Sequence, residues 1–161
     1  MFYIELFSAL ARHRVDYVLI GGLAVTLHGV ERATMDIDVS VAMTPENLLA
    51  LVATARELGM SPVLPVELDA LGDVEQLARR HRERNLEVFA LRAPGSGGVT
   101  LDVLLFPPVD FGGLLERALV FRVAEVPVVV AGIDDLIALK QAVGRPIDLA
   151  DVEHLKRLKE A

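Results

Sequence analysis

Cysteine is absent from this chain, which removes disulfides, thiolate zinc sites and cysteine nucleophiles together. Nothing therefore points to an oxidising compartment. Long apolar runs are missing too: although 53% of the 161 residues are hydrophobic, no stretch approaches the ~18 residues of a membrane span. The opening Met1-Phe2-Tyr3-Ile4-Glu5 has neither the basic start nor the small-residue cleavage site of a secretion signal. A cytoplasmic protein with no membrane partner is the expectation. Positive charge is scarce, and the net −7 argues against broad, non-specific affinity for nucleic acid, which depends on Lys and Arg. The four histidines lack zinc-ligand spacing. His28 has no serine or carboxylate arranged about it as a triad, so a structural role at a helix end is expected. No internal repeat, low-complexity tract or domain boundary is visible, and residues 1–161 read as one domain with room for a real core.

The elements follow from periodicity and punctuation. Phe2, Leu6, Phe7 and Leu10 recur at helical spacing and predict an opening helix ending near Arg14. Tyr17 to Ile20 reads as a buried strand, broken by Gly21-Gly22; Leu23, Ala24 and Leu27 then predict a short helix closed by Gly29. Residues 36–41 form a second strand. Thr44 as cap, Pro45 at the first helical position and Gly59 past the last turn delimit the next helix. Residues 62–65 are a turn or short edge segment and 73–84 a charged helix. Strands at 86–91 and 99–106 flank Pro94-Gly95-Ser96-Gly97-Gly98, which reads as hairpin chemistry, since no helix follows to make a phosphate cradle. A helix at 111–117, strands at 119–123 and 126–130, and helices at 133–143 and 149–160 complete an α+β or α/β domain, a mixed sheet flanked by helices.

The residues with chemical potential begin with Asp36 and Asp38 in Thr34-Met35-Asp36-Ile37-Asp38-Val39. Alternate side chains of a strand share a face, so both carboxylates point one way while Ile37 and Val39 point into the core. Like charges so placed repel unless a cation lies between them, and oxygen-only ligands suit Mg²⁺ or Mn²⁺. Asp102 lies in the apolar strand Val99-Thr100-Leu101-Asp102-Val103-Leu104. A carboxylate there protonates, finds a partner or binds a metal; the alternative is an edge-strand aspartate facing water or a neighbouring arginine. A sheet that sets this strand beside residues 36–41 gathers three carboxylates at one point. Gly21-Gly22, at a strand-to-helix turn, lets an anion approach the backbone, or simply makes the turn. Lys140 falls on the apolar stripe of its helix and either meets a nucleotide phosphate or lays its stem on the core with the ammonium in water. Arg32 and Thr34 are placed to orient the carboxylate pair or contact phosphate. Asp148 fits a helix N-cap, Asp151 the N3 position, and Ile147 a staple onto Val152. Arg79, Arg80, Arg82 and Arg84 form either a solvated helix face or a basic patch.

Val18-Leu19-Ile20-Gly21-Gly22-Leu23-Ala24, Leu27-His28-Gly29, Arg32-Ala33-Thr34-Met35-Asp36-Ile37-Asp38-Val39 and Leu101-Asp102-Val103 together resemble the nucleotidyltransferase superfamily with the DNA polymerase beta fold. With the tail Lys140…Gly144-Arg145…Asp148…Asp151, the wording is similar to AbiEii-type toxins and related small bacterial nucleotidyltransferases. That resemblance implies Asp36, Asp38 and Asp102 as catalytic and metal-holding residues. Asp102 would complete the metal site or act as base. Gly21, Gly22, Arg32, Thr34 and Lys140 would bind the nucleoside triphosphate. It further implies transfer of a nucleoside monophosphate to an acceptor hydroxyl, of tRNA or protein in the toxin–antitoxin manner, with an antitoxin or a second copy of the chain as partner. Two alternatives stand beside it: an aminoglycoside- or lincosamide-modifying nucleotidyltransferase, and a non-catalytic nucleotide-binding module. Gly22 replaces a serine found in many members, the interval before the aspartate pair is longer than the commonest form, and the chain is shorter than full AbiEii-type proteins.

Overall fold

The computed structural model describes residues 2–95 and 97–161; Ser96, at the centre of the expected hairpin turn, lies outside the described residues. Helix α1 (Phe2–Arg12) buries Leu6, Phe7, Ala9 and Leu10. It stops short of Arg14 because that residue takes a positive φ of 55°, and the Val15 N–H turns back to the Leu10 carbonyl at 3.0 Å. Strand β1 (Tyr17–Ile20) is buried throughout and runs straight into α2 (Gly21–Leu27). Strand β2 (Ile37–Val41) leads to α3 (Pro45–Glu57), capped as expected by the Thr44 hydroxyl, which accepts from the Asn47 N–H at 3.2 Å.

The short β3 (Ser61–Pro62) precedes α4 (Val74–Arg84), whose Asp73 cap accepts from the Gln76 N–H. Then come β4 (Val88–Arg92), β5 (Thr100–Leu104), α5 (Phe111–Glu116), the hairpin β6 (Leu119–Val123) and β7 (Val126–Val130), and the closing helices α6 (Ile133–Val143) and α7 (Pro146–Glu160). Among the described residues the strands make one mixed sheet in the order β3-β4-β5-β2-β1-β7-β6. β2 is parallel to β5 and β1 to β7; the other pairs are antiparallel. Ile37, Val39 and Val41 alternate into the core, joined by Leu101 and Val103 of β5 and Phe89 and Leu91 of β4. The opposite rows of the same three strands therefore carry the polar residues.

The last helix departs from the sequence expectation. Proline, with φ already near the helical value, opens α7 at Pro146, three residues earlier than the apolar pattern implied. Asp148 is consequently the third helical residue and not the cap; its carboxylate reaches back to accept from the Arg145 N–H at 3.2 Å. Asp151 falls in the second turn, 3% exposed, and Ile147 is an exposed first-turn residue with no stapling role.

Candidate active site

Register decides what the carboxylates can do. In the parallel pair β2–β5, Asp38 stands directly beside Asp102 and Ile37 beside Leu101. One strand-length residue away, the Thr100 hydroxyl lies 2.9 Å from Asp36 Oδ1 and 3.1 Å from Asp102 Oδ1. Having one proton, it donates to one and approaches the other as the rotor allows. The three acids that lie 2 and 64 residues apart in sequence thus share one face of two adjacent strands. Asp36 is exposed just ahead of β2, whereas Asp38 and Asp102 are half-buried.

Crowding shows in the acid strength of the pair. The Asp38 carboxyl is pushed up to about 7, first by burial, then by the charges of Asp102 and Asp36; Lys140 opposes the shift. Asp102 is also raised, again chiefly by burial, with the Thr100 hydroxyl opposing the shift and the charge of Asp36 adding to it. Among the described residues, no group of three or more His, Cys, Asp or Glu side chains closes round one point as an ion would require; Asp36 is turned to the Thr100 hydroxyl. The donor set nevertheless suits a hard divalent cation. It is oxygen-only, it is mutually repulsive when ionised, and its outermost member, Asp36, is an exposed side chain that accepts from the Thr100 hydroxyl.

A folded-state carboxyl raised above its ordinary value binds its proton better than the unfolded chain does. Its contribution therefore favours the fold at low pH and fades as pH rises from about 4 to about 7. Asp38→Asn removes that loss. The melting temperature of the variant should exceed that of the wild type at pH 8 and the difference should shrink towards pH 5, read by thermal melts across that range.

The Gly21-Gly22 turn is shaped by the site. Gly21 has φ +76°, and a Cβ on it would lie 2.1 Å from Asp38 Oδ2; a Cβ on Gly22 would lie 2.9 Å from the Arg32 Cζ. Each glycine leaves space for one charged side chain to rest against the backbone. Gly21→Ala should cost about 1–2 kcal/mol from the left-handed conformation alone and also drive Asp38 out of register with Asp102. A lowered melting temperature together with lost cation-induced stabilisation is the expected result; wild-type behaviour in both would show that the close approach is unimportant.

Arg32 lies on Gly22 and pairs with Asp151 of α7, while its Nε is buried without a partner among the described residues. Lys140 Nζ sits 3.3 Å from Asp148 Oδ1 and 3.1 Å from Asp151 Oδ2, and Arg145 Nε sits 2.7 Å from Asp148 Oδ2. Neither acid was legible as part of a network, since capping explained both. Lys140 is 8% exposed, so its ammonium is held in ion pairs and not in water. Its stem lines a cleft of about 150 Å³ with Ile20, Gly21, Asp38, Leu104 and Arg145. The structure thus brings Gly21, Asp38 and Lys140 together, and ties Arg32 to the same network through Asp151. Thr34 makes a local bond to the Asp36 carbonyl at 3.3 Å. His28 caps α2 and bonds to the Ala131 carbonyl at 2.8 Å.

No family model matches the sequence, and no curated protein matches it. Solved structures do share the fold. The lincosamide antibiotic adenylyltransferase LnuA, lincomycin-bound, superposes with a TM-score of 0.62 at 15% identity over 98% of this chain and 94% of its own. ANT(2″)-Ia in complex with adenylyl-2″-tobramycin gives 0.56 at 16% identity over 99% and 88%. An antigenic nucleotidyltransferase-like protein from Paracoccidioides brasiliensis gives 0.55 at 14% over 96% and 76%. The chain has the nucleotidyltransferase fold.

Proposed function

We propose that this protein is a divalent-metal-dependent nucleotidyltransferase that moves a nucleoside monophosphate from a nucleoside triphosphate to an acceptor hydroxyl. The observation that carries this reading is the pairing of Asp38 with Asp102 across adjacent parallel strands, with Asp36 tethered to them by the Thr100 hydroxyl. Asp36, Asp38 and Asp102 would hold Mg²⁺ or Mn²⁺, which supplies charge neutralisation on the triphosphate and eases ionisation of the attacking hydroxyl. The chain's own groups do the rest. The Gly21-Gly22 turn admits the phosphates close to the backbone, and Arg32 and Lys140 give that side of the cleft its positive charge. Asp102 accepts the acceptor's proton as the hydroxyl oxygen bonds to the α-phosphorus. The bond from that phosphorus to the β-phosphate bridging oxygen breaks, and pyrophosphate leaves in line.

The similarity to AbiEii-type sequences supports a tRNA or protein hydroxyl as acceptor, within a toxin–antitoxin setting. A second reading is favoured by the fold neighbours, among them a lincomycin-bound lincosamide adenylyltransferase and ANT(2″)-Ia in complex with adenylyl-2″-tobramycin: the acceptor is then an antibiotic hydroxyl. Incubation with each α-labelled nucleoside triphosphate, Mg²⁺ or Mn²⁺, and either total RNA, cell protein or a panel of hydroxylated antibiotics should place label on one class. Absence of transfer to every class, with nucleotide still bound, would replace the enzyme by a binding module.

A further inference from the structure

The two outer edges of the sheet are built differently. β3 contributes only Ser61 and Pro62 to one of them, and so short a strand, with a proline in it, offers little to pair with. β6 forms the other with Leu119-Val120-Phe121-Arg122-Val123, of which Leu119 is 48% and Val120 64% exposed. Leu115, whose carbonyl takes the Ala118 N–H just ahead of the strand, is exposed as well. Neither a proline nor a bulge interrupts this edge, and β6 stays in register with β7 from Leu119 opposite Val130 to Val123 opposite Val126. Its single charge is Arg122, whose guanidinium donates to the Glu125 carbonyl of the turn at 3.3 Å.

The hydrogen bonds of the neighbouring segment show which main-chain groups of β6 are turned outwards. Val129 gives its N–H to the Tyr17 hydroxyl at 3.2 Å, and Ala131 gives its own to the Leu19 carbonyl at 3.0 Å, so this row faces β1. Pro127 belongs to the same row and has no N–H to give. Opposed residues of an antiparallel pair exchange both bonds or neither, in alternation along the ladder. Val120 opposite Val129, and Arg122 opposite Pro127, are therefore pairs of the second kind. The N–H and C=O of Val120 and Arg122 point away from the sheet. Among the described residues no turn or loop group takes them up. Phe121, between them, is fixed from within by its edge-on contact with the His28 ring at 5.2 Å.

Two donors and two acceptors placed evenly about Phe121 are complementary to themselves. A second β6 laid antiparallel, about a two-fold axis at Phe121, sets Val120 of each copy opposite Arg122 of the other. Each such pair exchanges two bonds, which satisfies all four groups of both chains. Charge selects the same register. An axis at Arg122 would oppose two guanidinium groups, which is unfavourable, whereas an axis at Phe121 lays each arginine stem along a valine. We infer that β6 is the contact surface for a second copy of this chain, which continues the sheet across a two-fold axis at Phe121. A five-residue edge carrying Leu119 and Val120 buries less than the about 800 Å² per partner of a standard interface. The dimer is accordingly reversible and dissociates in the micromolar range. β1 and β7 separate this edge from β2 and its aspartate, so the inference stands apart from the proposed transfer reaction.

The test is analytical ultracentrifugation of the full chain through the micromolar range, for wild type, Val120→Lys, Val120→Glu and Val120→Pro. The wild-type mass should rise with concentration from that of one chain to that of two. Val120→Lys sets an ammonium against Arg122 at two equivalent places and should weaken the dimer about tenfold; Val120→Glu sets a carboxylate there and should tighten it by a similar factor. Val120→Pro removes an outward N–H without touching a bond to β7, and should be monomeric throughout. Amide exchange followed by NMR gives a second readout: the Val120 and Arg122 amides should exchange fast in dilute protein and slowly in concentrated protein, while those of Phe121 and Val123 stay slow in both. A wild type that remains monomeric, or a dimer that Val120→Pro leaves intact, would overturn the inference. So would a dimer weakened alike by lysine and glutamate, since that result describes apolar association without this register. If circular dichroism shows Val120→Pro unfolded, the opposite responses of the two charged variants, both at an exposed position, decide the matter.

Discussion

Asp102→Asn should abolish measurable nucleotidyl transfer while leaving the melting temperature at or above that of the wild type. The asparagine keeps the shape of the side chain and its place beside Asp38, but it neither accepts a proton nor adds charge to an ion. Loss of a positioned base alone is worth roughly 10²–10⁴-fold in rate, and loss of a metal ligand adds to it. Stability moves the other way, since Asp102 is held half-buried at a raised pKa among like charges and the unfolded chain has no such crowding. Asp36→Asn should lose activity to a similar degree with a smaller gain in stability, being exposed. Release of labelled pyrophosphate, read beside circular dichroism melts, separates the outcomes. Wild-type turnover in Asp102→Asn and Asp36→Asn would remove the three acids from the chemistry.

The second large effect belongs to the buried ions at the start of α7. Asp148 is 1% exposed and receives Lys140 and Arg145; Asp151 receives Lys140 and Arg32. Asp148→Ala leaves Lys140 and Arg32 sharing the single carboxylate of Asp151, an excess of buried positive charge, and breaking a buried pair in this way costs about 3–5 kcal/mol. Lys140→Met should cost less, because Asp148 keeps Arg145 and Asp151 keeps Arg32. Urea midpoints for the two variants give the comparison; equal losses would mean that the network is not the source. Burial tends to raise the Asp148 carboxyl, but Arg145 and Lys140 outweigh it and hold the group below its ordinary value. Its contribution is therefore present above the unfolded pKa and is lost as pH falls through the folded one. That acid-side loss runs opposite to the Asp38 contribution, so the two aspartates bend the pH–stability curve at different ends.

The network also bears on the site. Arg32 belongs to the loop before β2, and its bond to Asp151 fastens that loop to the C-terminal helix. Asp151→Asn should therefore disturb nucleotide binding as well as stability.

Much of this was written locally. The strand at Tyr17–Ile20, the Thr44–Pro45 helix start and the two short strands at 119–123 and 126–130 follow from short-range rules of periodicity and capping, which operate within one turn or one strand. Asp38 on the face of β2 opposite Ile37 and Val39 needed only the pleat, whereas Asp36, expected to open that strand, lies just ahead of it. The start of α7 was misplaced because two rules competed for the same few residues, and the fixed φ of Pro146 prevailed over the cap preference of Asp148.

What sequence determined, then, was the elements and the chemical type of the residues: an acid in β2 with another just ahead of it, an acid in β5, a glycine turn before both. Tertiary structure alone decided their relations. Only the β2–β5 register could bring Asp102 level with Asp38, and only the return of α7 could turn two supposed caps into counter-ions for Lys140 and Arg32. Strand register and helix docking are fixed by burying apolar rows drawn from the whole chain, and no window of neighbouring residues contains that information.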